Sequence, residues 1–467
     1  MMVQLQDLPI EVLSHCLSFI RWPYPARALA WNSLHINDPS DITYRTRRSL
    51  MNISLVSRIF RDLAQPLLFR DFEDNNEDDN LRRLIRFLKA VIVRPQLGKY
   101  VQVVALHPID YELLDDLKEV LPSQDINFFT RAVQELELGD QEQAWLSVTN
   151  RDDASILLAL LLTKTPNLRL LYFTGSAFSM KPLSPLFARD PSFLSNLEEL
   201  CIQGYEDPDH DIADFHEFLA RPRLKRFISD SGDLAYRSIL TPSAPNTLTM
   251  ERCYLRHCQL YSDNLKKLTQ ACKKLTHFMF IGWSRSLGTF LNPGRTPLFD
   301  EVDLFEALLP HQDTLTHLDI EFLDGRIPPQ IRLYPKLPGG KLPSLRGFTV
   351  MIDLTVQFSL LKPRPEFPST LKRLTITDCN ASLWNMTYCI ATDCKNGRYP
   401  ELEKIQLLSE NATQLIEPGR QNIPEDQVPD QYFRSLRNLF KGTNVDYQII
   451  SPMEPGMRVG DDLEEGD

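Results

Sequence analysis

The chain has 467 residues, 43% of them hydrophobic, which is enough for a large core and leaves room for one small domain beside one long one. The net charge of −11 is concentrated: Asp71 to Asp79 carries −6 and Glu454 to Asp467 carries −5, so the remainder is formally balanced and offers no basic, aromatic-laced face to nucleic acid. The greasiest run, Ile156 to Leu162, is seven residues, far short of the roughly 20 that cross a bilayer.

Met1 to Ile20 does not read as a signal peptide, because Asp7, Glu11 and His15 interrupt its apolar stretch. A reducing compartment, cytoplasmic and/or nuclear, is therefore expected. The cysteines agree: none forms a CxxC pair, and Cys253/Cys258 and Cys389/Cys394 lack the histidine spacing of a zinc site. Buried free thiols are the expectation.

In chain order, the first element is a helix over Leu5 to Ile20, with Pro9 in its first turn and Asp7 and Glu11 favourable at its N-terminus. Its apolar residues form two stripes. Leu8, Val12, Cys16 and Phe19 make one, and Leu13, Leu17 and Ile20 make the next, so the helix must bury against two things. Ser49 to Phe72 repeats the pattern with Leu50, Ile53, Leu55, Val56, Phe60, Leu63, Leu67, Leu68 and Phe69, broken around Ser57 and again at Pro66. Three helices of this size cannot make a self-sufficient core, so part of this apolar surface is expected to belong to a partner.

The order Leu8-Pro9-x-Glu11-Val12-Leu13, then Leu17, then Leu55-Val56-Ser57-x-x-Phe60-x-x-Leu63 resembles the F-box, the three-helix module that docks on the Skp adaptor of SCF ubiquitin ligases. The resemblance covers about seventy residues (1–72) and departs from the family in a long insertion at 21–48, which carries Trp22, Pro23, Pro25, Trp31 and Pro39. It implies that Leu8, Pro9, Val12, Leu13, Leu17, Leu55, Val56 and Phe60 bind the adaptor, and through it a cullin.

An acidic linker is expected at 73–80, within the run Asp71 to Asp79, and a disordered acidic tail at 451–467, after Pro452 and Pro455 in part. Between them, over 81–450, the pattern apolar-x-x-apolar-x-apolar recurs. It reads Val101/Val104/Leu106, Val133/Leu136/Leu138, Leu168/Leu171/Phe173, Leu197/Leu200/Ile202 and, degraded, Leu224/Phe227/Ser229. It continues as Leu275/Phe278/Phe280, Leu315/Leu318/Ile320, Leu345/Phe348/Val350, Leu371/Leu374/Ile376 and Leu402/Ile405/Leu407, with room for one irregular repeat near Leu248. This resembles leucine-rich repeats, though the units are long and lack a regular asparagine. The last two apolar positions, two apart, point into a solenoid, and the residues between them face its concave surface. Pro166, Pro222, Pro343 and Pro400 each stand two residues before a repeat's first leucine and end the preceding element.

Helical segments are expected over Ile156 to Leu162, Ile212 to Leu219, Leu260 to Leu275, Val302 to Leu309 and Tyr432 to Phe440, as crossovers between parallel strands require. Val445, Tyr447 and Ile449 then form a last strand. The fold class is α/β: a three-helix module followed by an irregular solenoid with a parallel sheet on its concave face.

No catalytic motif, cofactor site or metal-ligand set occurs. His277 and His317 share one offset in their repeats, with Arg226, Arg373 and Lys404 at that offset in others, and Glu199, Leu170 and Gly347 interrupting. Such a column would bind an acidic or phosphorylated segment of a target protein, unless it is only a solvated strand face. Trp283 with Arg285, and Trp384, are candidate rim contacts. By resemblance, the expected function is that of a non-catalytic substrate receptor of an SCF-type ubiquitin ligase. The alternative is an interaction scaffold of the same build that delivers no target for ubiquitination.

Overall fold

The computed structural model of the chain describes residues 8–20, 39–74, 80–106, 123–139, 142, 145, 155–174, 182–204, 210–234, 244–282, 300–322, 341–379, 383–408 and 435–450. The fold is mixed α/β with parallel strands. It divides into two compact units. One holds the described residues up to His210 together with Glu217–Phe227, and the other holds Asp211–His216 and those from Ile228 onward.

The first unit opens with helices α1 (Ile10–Ser18), α2 (Pro39–Val56) and α3 (Arg58–Leu68). Pro9 lies just outside α1 in an extended conformation, and its carbonyl accepts the Leu13 N–H at 3.1 Å. Helix α2 starts at Pro39, within the segment 21–48 expected to separate the first two helices; Pro at a first helical position and Asp41 in the first turn are helix-start signals. The remainder, 21–38, lies outside the described residues. Ser57 alone separates α2 from α3. Its extended backbone and its Oγ, which accepts the Phe60 N–H at 3.3 Å, cap α3. Pro66 does not break the helix as expected. It sits inside α3, which runs on to Leu68 although the proline supplies no N–H to the helix ladder.

Strand β1 (Asp71–Asp74) occupies the start of the expected linker and pairs in parallel with β2 (Val103–Leu106). Two arginines hold the start of this acidic run. Arg70 donates to both carboxylate oxygens of Asp71, and Arg47 donates to the carbonyls of Asp71 at 3.3 Å and Glu73 at 3.0 Å. Phe72 is buried and stacks on Phe87 at 4.4 Å. The repeating part therefore begins at 71 rather than 81, and residues 75–79 lie outside the described ones.

β2 pairs with β3 (Leu170–Thr174), and β3 with β4 (Glu199–Gln203), all parallel. Val133/Leu136/Leu138 forms no strand. Val133 ends a helix, Ser123–Gln134, in which Phe129, Ala132 and Val133 are buried at helical spacing. The helix Ser155–Lys164 is buried from Ser155 through Leu162.

β5 (His210–Asp211) and β6 (Arg226–Asp230) fall at the division between units. The second unit contains β7 (Gly232–Leu234), β8 (Arg252–Leu260), β9 (His277–Gly282), β10 (His317–Phe322), β11 (Asp353–Gln357), β12 (Arg373–Thr377), β13 (Lys404–Leu408) and β14 (Asp446–Ile450). From β8 to β14 they pair in sequence order, all parallel, with β7 beside β8. Helices Ser262–Ala271, Glu301–Leu308 and Trp384–Lys395 lie between strands, the second closed by an Asp300 capping box.

One carbonyl before each strand fixes the register by accepting two consecutive N–H groups of the next repeat. Glu251 takes Thr276 and His277, Thr276 takes Thr316 and His317, Thr316 takes Ile352 and Asp353, and Ile352 takes Lys372 and Arg373. In the first unit Gln102 takes Arg169 and Leu170 in the same way. The expected inward pairs are buried throughout, from Phe278/Phe280 to Ile405/Leu407. Two positions differ. The repeat near Leu248 is Met250/Cys253/Leu255, and the strand expected from Leu345/Phe348/Val350 starts six residues later as Met351/Leu354/Val356. Leu345 and Phe348 are buried as well, in the turns that lead into β11, so the apolar pattern repeats twice and only the carbonyl of Thr316 selects the second copy.

Candidate interaction surfaces

The two stripes of α1 have different fates. Leu13 and Leu17 are buried, as are Leu50 of α2 and Phe60 and Ala64 of α3, and α1 and α2 each pack against α3. Val12, Cys16 and Phe19, on the other stripe, stay exposed. The eight residues singled out by resemblance split along the same line: Leu13, Leu17 and Phe60 pack internally, Leu8 is half-buried, and Pro9, Val12, Leu55 and Val56 face solvent. Leu55 is 75% exposed and Val56 69%. Ile10, Met51 and Ile59, not singled out from sequence, are exposed beside them in the chain. Met51 stands one turn before Leu55 on α2, so the i, i+4 spacing was the available signal.

The second surface is the solvent side of the strands. In the first unit β2 and β3 are buried on both faces, and Arg226 is no free cation. Its guanidinium lies 2.9 Å from Glu199, with both side chains about one-tenth exposed. In the second unit β9 and β10 alternate strictly between buried and half-exposed positions.

There the register lines up Arg252, His277, His317, Asp353, Arg373, Lys404 and Asp446 in one row. His277, His317, Arg373 and Lys404 thus share a row as expected. Gly347 is not in it, because β11 begins later, and Asp353 stands in its place. The correction changes the chemistry. Asp353 Oδ2 lies 2.7 Å from His317 Nε2 and accepts from Arg373 Nη2 at 2.5 Å, so the middle of the row is neutralised from within. Burial holds the His317 imidazole below its ordinary range, Asp353 opposes this, and Arg373 and Arg252 reinforce it. The hydrogen bond to Asp353 raises the Arg373 guanidinium. Arg252 and Asp353 were legible once Met250 and Met351 count as first positions of repeats.

The next row carries Tyr254, Met279, Asp319, Thr355, Thr375, Gln406 and Gln448. Burial, with Glu321 beside it, pushes the Asp319 carboxyl up to about 7, against the opposing pull of Arg256. Gln406 donates to Gln448 at 3.2 Å. Trp384 is half-buried at the start of its helix, and Trp283 and Arg285 lie outside the described residues.

Among the described residues no group of three or more His, Cys, Asp or Glu side chains is placed to hold a metal ion, and no helix is long and apolar enough to cross a membrane. Cys201, Cys253, Cys258, Cys272 and Cys379 are buried free thiols, and burial raises Cys272 to about 12, whereas Cys16 is exposed. Matched against models of known protein families and against curated proteins, the chain gives no match.

Proposed function

We propose that the chain is the substrate-recognition subunit of an SCF-type E3 ubiquitin ligase. The three-helix module acts as an F-box that seats it on a Skp adaptor, and the leucine-rich repeats that follow bind a target protein. Such a receptor breaks no bonds. It raises the effective concentration of a target lysine near the ubiquitin-charged enzyme.

The observation that carries this reading is the pair Leu55 and Val56, 75% and 69% exposed at the end of α2, next to Met51 and Ile59 and in one module with Val12 and Phe19. Large apolar side chains gathered at such exposure mark a surface that a partner covers. The same module buries Leu13, Leu17 and Phe60, which are therefore not part of that exposed surface. The half-exposed rows of β8 to β14 supply polar and charged side chains in a fixed array for a target.

The test is co-purification of the full chain with Skp adaptor. Covering one leucine is worth roughly 1.5–3 kcal/mol, so Leu55→Asp and Val56→Asp each release the adaptor while leaving the thermal midpoint within about a degree of wild type. Retention of adaptor at the wild-type level by both variants overturns the assignment. Recovery of cullin with the wild-type complex separates a ligase receptor from a scaffold.

A further inference from the structure

Between residues 342–345, which lead into β11, and residues 360–367, which follow it, the second unit holds an open cavity of about 250 Å³. The two segments are tied at both ends. The Leu342 N–H donates to the Leu360 carbonyl at 2.9 Å, and the Leu345 N–H to the Glu366 carbonyl at 3.0 Å. Between those ties stand Pro343 and Ser344 on one side and residues 361–365 on the other, so the longer side must arch away. Pro343, Pro363 and Pro365 have no N–H, and the gap therefore cannot be zipped shut by further backbone bonds. The arch is pinned by Tyr399, whose hydroxyl donates to the Pro365 carbonyl at 3.3 Å and accepts the Phe367 N–H at 3.5 Å. The wall that Pro365 and Phe367 form is thus held in place without an occupant.

The lining is apolar at the floor and charged at the mouth. Leu342, Leu345, Leu361 and Phe367 are buried, whereas Lys362, Arg364 and Glu366 are exposed. Around the mouth Arg346, Lys362, Arg364 and Arg398 meet two carboxylates, Glu366 and Asp393. Asp393, its side chain 3% exposed, is shared by Arg364 at 3.5 Å and Arg398 at 3.2 Å. Glu366 lies 3.5 Å from Arg346. The Ser344 hydroxyl first, then Arg346, and more weakly Lys362 and Arg398, hold the Glu366 carboxyl below its ordinary range. Among the described residues no carboxylate lies within ion-pair distance of Lys362. Four cations against two carboxylates leave an excess of positive charge here, in a chain whose net charge is −11.

The volume sets the size of an occupant. At about 250 Å³ it falls below the roughly 300–1,000 Å³ of cofactor and drug-sized sites, and it has room for one side chain. The floor sets the chemistry. A bare phosphoryl group would turn polar oxygens toward leucine and phenylalanine, which costs free energy, whereas a glutamate lays its two methylenes there and keeps its carboxylate at the mouth. We propose that the cavity binds a glutamate side chain from an acidic segment of a partner protein. Lys362 Nζ and the Arg364 guanidinium donate to its carboxylate, and neighbouring carboxylates of the same segment meet Arg346 and Arg398. The site uses none of the residues in the strand rows and is independent of the adaptor.

The test is the fluorescence anisotropy of labelled hexaglutamate and labelled hexaaspartate titrated with the full chain at fixed ionic strength. Hexaglutamate is expected to bind about fourfold more tightly, the worth of one extra buried methylene, because aspartate cannot reach from the floor to the mouth. Lys362→Gln weakens hexaglutamate by about threefold and Lys362→Glu by about tenfold. Glu366→Gln, which removes the competing carboxylate of the lining, tightens it by about threefold. Lys362 is exposed and in no ion pair, so its variants keep the wild-type thermal midpoint. Equal affinity for the two peptides, or undiminished binding by Lys362→Glu, overturns the proposal. So does a loss of binding in Arg373→Gln alone, which seats the peptide on the strand face instead. Inorganic phosphate that displaces the label as completely as unlabelled hexaglutamate overturns the choice of glutamate. Adaptor co-purification by Lys362→Glu, at the wild-type level in each case, keeps a failure here distinct from a failure of the receptor reading.

Discussion

At the scale of single residues, the second unit holds two groups whose protonation the fold decides in opposite senses. His311 is 3% exposed, its Nε2 lies 2.8 Å from the Thr269 carbonyl, and its Nδ1 accepts the Leu275 N–H at 3.4 Å. Both bonds exist only in the neutral ring protonated on Nε2, and burial holds His311 below the ordinary histidine range. The unfolded chain therefore binds a proton that the native one refuses. Stability is full above about pH 6.5 and falls as pH drops through the depressed native value. Urea midpoints at pH 7.5 and pH 5 should show this loss in wild type and a smaller one in His311→Gln. Asp319 acts the other way. With its carboxyl raised to about 7, the native chain holds a proton that the unfolded one has released, so stability declines as pH rises from the ordinary carboxylate range to about 7 and stays low above it. Asp319→Asn should gain about 1–2 kcal/mol at pH 8, discounted for partial exposure, and nothing at pH 4; an equal gain at both would show that charge is not the cause.

At the scale of elements, burial separates residues that the apolar pattern treats alike. Leu13 and Leu55 are both leucines on helices of the same module, yet one is 3% exposed and the other 75%. Leu13→Ala should therefore cost about 2–5 kcal/mol and Leu55→Ala less than about 0.5 kcal/mol, measured by denaturant unfolding of the isolated full chain. Gly98 is a second case. A Cβ there would stand 2.0 Å from the Lys164 carbonyl oxygen, a backbone atom that cannot swing aside, so Gly98→Ala should lower the thermal midpoint by several degrees even though Gly98 is buried in a short turn of helix. The two stripes of α1, the helix Ser155–Lys164 and the strand that ends at Ile450 were legible because periodicity and turn residues report them locally. The strand at Asp71 was not. Its acidic residues read as solvated until Arg70 and Arg47 are seen to answer the Asp71 carboxylate and the strand's carbonyls.

At the scale of the whole molecule, stability is built by neighbouring repeats. From β8 to β14 each strand pairs with the next in sequence order, and each inward row stacks on the one before it. Leu371 is fully buried, so Leu371→Ala should remove about 2–5 kcal/mol, and hydrogen exchange should show the largest loss of amide protection in β11 to β13, fading toward β9. Uniform loss from β9 to β14 would mean that these repeats unfold as a single block.

The amino-acid sequence alone determined that the chain alternates strands and helices, which residues point inward in nearly every repeat, and which two stripes cover α1, since each of these is a matter of period and local backbone preference. Tertiary structure decided what lies across the ladder from each residue. A shift of six positions at β11 put Asp353, not Gly347, between His317 and Arg373, and so turned a basic column into a balanced row with Arg252 at its end. Spacing along one strand says which way a side chain points, but the charge it meets belongs to a residue some twenty to forty positions away, and only the paired backbone chooses that residue.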